Sequence, residues 1–429
     1  MGLTESELVQ RESWGNVLLR YRGYVYGASI FLGVYLVYLI FTPVDIGEKH
    51  HVYLAQAMLH GSFDVAKAGM PADYIDTVTV GASRYIPFPP GPAVLLLPFV
   101  AIWGTSFSES QFAAALGAVN VVLFWQILIA LGISRRAKIL LVPFFAFGTV
   151  EFYCATEGAV WQYNHVAAVF FMLVAVLLLL RKAPLALTAF VFGFAVISRT
   201  PTLFAAPFFL YYVYYQHSER LSVAGLTDRA WLKDVAAFCA GLAPFGVVML
   251  GYDYARFHNL FTSGYQAVYE EYIHGDQKYN YYRALFPDAT PLKLFDVRAI
   301  PWHLYTLLLM PPRFVGDWSV FRPSPYGMSV LLTSPAFVYA LMVKRKTPLK
   351  AACWIAIALV SALLFSHYSQ GWVQFGYRFL LDFAPFLLIL TALGFDDNDS
   401  PTHRRVQFDL VAISIVVCFW GNFWAHRGF

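Results

Sequence analysis

The chain has 429 residues, 59% hydrophobic, 18% aromatic and 13% charged. Soluble domains carry roughly 25% charged residues, so the composition excludes an ordinary soluble protein and points to one embedded in a bilayer, with Trp and Tyr collecting at the interfaces. A net charge of +4 spread over the chain does not describe a nucleic-acid surface, and Cys154, Cys239, Cys353 and Cys418 are too scattered for a disulfide framework or a cysteine metal cluster.

The N-terminal stretch MGLTESELVQRESWGN is polar and acidic. It lacks the basic start and small-residue cleavage site of a signal peptide, so the first apolar run is expected to be retained. At about 20 mostly apolar residues per span, fewer where protein shields them, eleven membrane helices are expected in an all-α polytopic fold. They cover approximately Tyr24 to Phe41, Gln111 to Gly132, Ile139 to Thr149, Val166 to Leu180, Leu185 to Ser198, Thr202 to Tyr215, Val235 to Tyr252, Tyr326 to Val343, Ala351 to Phe365, Phe379 to Phe395 and Leu410 to Trp424. Lys and Arg concentrate in alternate loops, at Arg135, Arg136 and Lys138, at Arg181 and Lys182, at Arg220, Arg229 and Lys233, at Lys344 to Lys350, and at Arg404 and Arg405. By the positive-inside rule those loops and the N-terminus are cytoplasmic. This parity requires Gly91 to Gly104, rich in nearby proline, to be interfacial or re-entrant. Two large segments then lie outside, Thr42 to Ser110 and Asp253 to Pro325, the second rich in Tyr and without a long apolar run. No repeat of 20 to 50 residues is present.

The densest group of titratable side chains follows the first span, in TPVDIGEKHHVYLAQ. Helical spacing after Pro43 puts Asp45, Glu48 and His51 on one face, opposite Tyr53, Leu54, Ala57 and Met58. That pattern describes an amphipathic helix at the outer membrane surface, either a solvated anchor or a reactive face.

The order of segments is informative. An acidic residue stands just beyond the first span. It is followed by YLAQAMLHGSFDV, then YIPFPPGPAVLLLPFVAIWG, then a span ending in SRR, and later by CATEGAVWQYNHVAAVFF and SRTPTLFAAP. This order resembles the GT-C superfamily of membrane glycosyltransferases, and looks most like the bacterial relatives of the protein O-mannosyltransferases and the lipid A aminoarabinose transferase. The resemblance covers about the first 255 residues. HNLFTSGY, PYGMSVLLTSPA and GWVQFGYRFLLDFAP in the remainder look like the variable half of such proteins. It implies a module over 1–255 whose first outer loop, 42–110, carries two juxtamembrane helices and the catalytic acid, then an outer subdomain at 256–325 and C-terminal membrane helices at 326–429.

The resemblance also implies chemistry: inverting transfer of a sugar from a polyprenyl-phosphate donor to a protein, lipid or glycan acceptor, outside the plasma (inner) membrane. Asp45 matches the catalytic acid and would take the acceptor proton, while cations stabilise the departing phosphate. Glu48 would orient it or, with His51, hold a divalent metal such as Mg or Mn. Where several relatives place Lys before two prolines this chain has Phe88, so Arg84 is the replacement cation or else a snorkelling interface residue. Arg199 interrupts an uncharged run, beside Pro201, which ends the helix there; an ionisable residue in such a run is a functional candidate, against a water-facing hinge. Arg378 and Asp382, four apart, either pair with each other or leave Arg378 for lipid phosphate. Glu157 and His165 would line the sugar cavity, with a hydrogen-bonded interface histidine the simpler role for His165. Arg256, Arg283 and Arg313 belong to the second outer segment without an assigned role. A transporter or flippase of lipid-linked saccharides is the alternative, as is an inactive scaffold. The acidic residues and unexplained charges gather at outer helix ends rather than at the midplane of paired repeats.

Overall fold

The structure is a computed structural model that describes residues 5–43, 48–218, 220–270, 285–316 and 320–427, with side chains described from residue 23 onward. It is predominantly helical, with only two short hairpins of strand among the described residues. Helix α1 (Glu5–Phe41) leads to α2 (His50–Leu59), a short hairpin of β1 (Val78–Val80) and β2 (Ser83–Tyr85), and α3 (Gly91–Trp103). Next come α4 (Glu109–Ala130), α5 (Arg135–Phe147), α6 (Val150–Glu157), α7 (Val160–Leu180), α8 (Leu185–Val196) and α9 (Ala206–His217). The short α10 (Val223–Leu226) precedes the long α11 (Arg229–Phe257), and α12 (Gly264–Val268), α13 (Ile300–Leu308) and the hairpin of β3 (Arg313–Val315) and β4 (Val320–Arg322) follow. The chain ends with α14 (Val330–Thr333), α15 (Pro348–Ser366), α16 (Ala384–Asp397) and α17 (Pro401–Ala425).

Among the described residues six helices are long and apolar enough to cross a bilayer: Gly23–Phe41 within α1, then α4, α7, α11, α15 and α17. The pair α5 and α6, bent by 45° at its break, makes a seventh if counted as one span. Helix α7 is central, with 78% of its span buried, whereas only 17% of the α1 span is. Leu36 and Ile40 on α1, Val247 on α11 and Val416 on α17 face outward and exposed. A protein that turns apolar side chains outward around hydrogen-bonded helices is suited to lipid, where backbone groups must be satisfied internally.

The remaining expected spans are shorter or broken. Helix α8 has 12 residues, and the next segment is a 3₁₀ turn (Thr200–Ala205) running into the 12-residue α9. The expected helix from Tyr326 to Val343 is not continuous; its apolar residues form α14 and a 3₁₀ segment (Pro335–Met342), because Pro335 cannot continue α14. The tenth expected helix opens as a 3₁₀ turn (Arg378–Asp382) before α16. Helix α3 with its 3₁₀ extension covers Gly91–Ser106. That is about 24 Å at 1.5 Å per residue, short of a hydrocarbon core of about 30 Å.

Close approaches set the inner geometry. At Gly117 on α4 a Cβ would stand 2.5 Å from Ala155 Cβ and 3.0 Å from the Tyr38 ring, so α1, α4 and α6 meet where no larger residue fits. Gly91 at the start of α3 donates its N–H to Ile197 O at 2.8 Å, and a Cβ there would lie 2.6 Å from Ser198 Oγ. The first outer segment is thereby locked against the end of α8, two residues before Arg199.

Candidate functional site

Arg199 stands where α8 has stopped and Pro201 begins the next turn, so its backbone is extended, with φ −144°. Its side chain turns inward, buried, onto Asp382. Nε donates to Oδ1 at 3.1 Å and to Oδ2 at 3.2 Å, and Nη2 to Oδ2 at 2.7 Å. From α7, His165 donates Nδ1–H to the same carboxylate at 2.8 Å. The Tyr265 side chain on α12 lies close to the Arg199 guanidinium, and the Phe379 ring lies under it, 5.3 Å from centroid to Cζ. Four distant stretches thus converge on one buried ion pair.

Arg378 lies one turn earlier than Asp382, but the two do not pair, contrary to the helical spacing. Residues 378–382 are a 3₁₀ turn. At three residues per turn, positions four apart no longer share a face, and Asp382 points to Arg199 instead. Arg378 is nonetheless buried. Its Nη1 donates to Trp372 O at 3.1 Å, its guanidinium lies 5.6 Å from the Phe379 centroid, and its Nε has no hydrogen-bond partner. Among the described residues no carboxylate is within ion-pair distance of it. Tyr153, Cys154, His165, Arg199 and Tyr265 are among the titratable groups around it. Asp382 neutralises one arginine, so the cluster retains a positive charge out of water. An uncompensated buried cation costs several kcal/mol, and an anion is the natural complement.

The loop from His367 to Tyr377 leads into this cluster. Gly371 and Gly376 have positive φ, and so does Val373, at 48°. A β-branched residue in the left-handed region is a genuine outlier, held here by a hydrogen bond from the Tyr153 hydroxyl to Val373 O at 3.1 Å.

The opening cluster of titratable residues is divided. Asp45 lies outside the described residues. The described chain on either side is anchored to the ends of two spans: Pro43 O accepts from Ser110 Oγ at 3.3 Å, and Val160 N–H donates to Glu48 O at 3.3 Å. Glu48 lies against His50 Nδ1 at 3.5 Å. Burial, with Asp76 and Asp73 nearby, raises its carboxyl above the usual range. His51 bonds Asn164 Oδ1 through Nε2 at 2.9 Å, so Glu48 and His51 have different partners. Among the described residues no group of three or more His, Cys, Asp or Glu is placed to hold a metal.

Helix α2 is not a surface amphipathic helix. His50, His51, Val52, Tyr53, Leu54 and Ala55 are all buried, with α2 packed against α3, and a Glu109 carboxyl oxygen from α4 accepts the Val52 N–H at 3.1 Å, serving an unpaired amide of the helix start. Burial pushes His51 down to about 3, the neighbouring His50 adding to it and the Asn164 hydrogen bond opposing. Phe88 occupies the space between, its ring edge-on to His50 at 5.9 Å and to Tyr265 at 6.0 Å. An aromatic core residue therefore stands where the resemblance expects a lysine.

The other candidates separate. Arg84 on β2 donates Nη2–H to Met70 O, and its backbone N–H caps onto Asp64. Glu157, at the end of α6, pairs with His426 Nδ1 at 3.0 Å and so does not share the Arg199 cluster with His165. Arg256 is a buried clamp, bonded to Ile86 O at 2.7 Å and Asp253 at 2.7 Å. Arg313 is exposed on β3, and Arg283 lies outside the described residues. Tyr265 and Glu109 escaped the sequence reading. Glu109, as an acid at a helix start beside a serine, carries a signal that looks like ordinary capping; Tyr265, one of 27 tyrosines, carries none. No family model and no curated protein matches the chain.

Proposed function

We propose that this protein is an integral-membrane glycosyltransferase of the GT-C type, moving a sugar from a polyprenyl-phosphate donor to an acceptor outside the membrane. The observation that carries this reading is the buried cation pair in which Asp382 neutralises Arg199, while Arg378 has no carboxylate partner among the described residues and its Nε makes no hydrogen bond. A lipid-linked phosphate would supply the missing anion without a soluble nucleotide-sugar domain. The order of segments in the first 255 residues supports the same reading. So does the presence of two helices, α2 and α3, packed together between the first two candidate spans.

In the proposed reaction Asp45 removes the acceptor hydroxyl proton. The acceptor oxygen forms its bond to the sugar C1 from the face opposite the phosphate, and the C1–O bond to phosphate breaks with its electron pair. Arg378 receives the developing charge on the leaving phosphate. Arg199, held by Asp382 and His165, keeps that region positive and rigid. Glu48 stands three residues after Asp45, against His50, as its orienting partner in the proposed site. The proposal includes eleven membrane segments, several of them short and shielded by protein, with the N-terminus and the Lys/Arg-rich loops cytoplasmic in a plasma membrane.

The test is release of polyprenyl phosphate from a polyprenyl-phosphate sugar donor by purified protein supplied with membrane extract as acceptor source. Asp45→Asn is expected to lose release by at least a hundredfold, the low end of a general base's contribution, with unaltered folding. Unchanged release rejects Asp45 as the base. Passage of the intact donor across proteoliposomes without release replaces the enzyme with a flippase.

A further inference from the structure

A second basic site lies far from the proposed centre, at the ends of α5 and α17. Arg135 and Arg136 open α5, and Arg404 stands in the first turn of α17. Together with Ile139, Leu140 and Phe408 they line an open groove of about 430 Å³. Cations at a helix start oppose the helix dipole, so three arginines in two adjoining first turns make an unusually positive point. Only part of this charge is answered. Asp399 binds Arg136 at 2.9 Å and Arg404 at 2.6 Å, and Arg136 also reaches Gln407 at 2.8 Å. Arg135 is exposed, and no acidic residue pairs with it among the described residues.

One turn into each helix the surface changes. Ile139 is 62% exposed and Phe408 59% exposed, and both lie in the same groove as the arginines. A positive rim above an exposed apolar floor, on the outside of a membrane-embedded bundle, matches a molecule with an anionic head and a hydrocarbon tail. Basic pockets between membrane helices bind acidic lipid headgroups on this principle. We infer that this groove is a binding site for an acidic diacyl phospholipid, whose phosphate meets Arg135 and the edge of Arg404 while an acyl chain lies along Ile139, Leu140 and Phe408. The inference uses only the embedded position of the bundle and is independent of the proposed glycosyltransferase activity.

The experiment is native mass spectrometry of the full chain, stripped of lipid in neutral detergent and offered phosphatidylglycerol or phosphatidylcholine. Preferential retention of phosphatidylglycerol is expected. Arg135→Gln should reduce it about fivefold, the effect of one interfacial charge, and Ile139→Ser should reduce retention by removing floor rather than charge. Both substitutions are at exposed positions, and size-exclusion profiles check folding. Arg181→Gln with Lys182→Gln, which removes two charges from another loop, should leave retention unchanged. Equal retention of both lipids, equal loss in the Arg181/Lys182 control, or displacement of the lipid by inorganic phosphate alone would each overturn the site.

Discussion

Arg378 and Asp382 are four residues apart and have opposite dependences on their surroundings. Asp382→Asn removes the countercharge of a buried arginine and should cost about 3–5 kcal/mol, as breaking a buried pair does, measured as a lower thermal midpoint in detergent. Arg378→Gln removes a cation that has no ion-pair partner among the described residues, so the thermal midpoint should hold or rise; a fall as large as that of Asp382→Asn would show an undescribed countercharge. His51 gives a pH dependence. Its neutral form is favoured in the fold, with a pKa near 3, whereas an unfolded histidine titrates near 6.5. Below pH 6.5 the unfolded chain therefore binds the proton first, and stability falls by about 1.4 kcal/mol per pH unit per such histidine down to the folded pKa. Unfolding measured between pH 7 and 4 should be flatter in His51→Gln, and identical slopes would exclude a neutral buried His51.

At the scale of elements, two backbone features place the site. Gly91→Ala would drive a Cβ to 2.7 Å from the backbone oxygen of Ile197, which cannot give way as a flexible side chain can. It should cost about 1–3 kcal/mol and shift the end of α8 that carries Arg199; unaltered thermal stability would show that the junction is loose. Val373→Gly relieves a left-handed β-branched residue, worth about 1–2 kcal/mol, and should stabilise the chain if the Tyr153 hydrogen bond to its carbonyl survives. The elements also mark the limit of what sequence could show. Arg199 stood out because it interrupts an uncharged run, where charge is expensive, Arg378 and Asp382 through their spacing at a helix end, and His165 through the family resemblance. Their partners were not legible, since periodicity assigned Arg378 and Asp382 to an α-helix and the chain there is 3₁₀. Likewise α2 showed amphipathic spacing, whereas its histidines are buried against residues distant in sequence, Phe88, Trp161 and Tyr163 among them, which periodicity does not reveal.

For the whole molecule, composition was sufficient for a helical membrane protein, because 59% hydrophobic content leaves few alternatives. The number of spans was harder, since short apolar helices such as α8 and α3 satisfy hydropathy without the length of a full crossing. Orientation has a direct check. With Cys239, which is exposed, replaced by Ser, a membrane-impermeant thiol reagent on intact cells should label Asn259→Cys and not Lys346→Cys. Reversed labelling would mean that Gly91–Ser106 alters the parity of everything after it. The central claim is that the buried positive cluster receives a lipid phosphate, and native mass spectrometry with a polyprenyl-phosphate sugar tests it most directly. Wild-type protein and Asp45→Asn should both retain the donor, while Arg378→Gln should lose it by at least tenfold. Retention undiminished in Arg378→Gln would contradict the account.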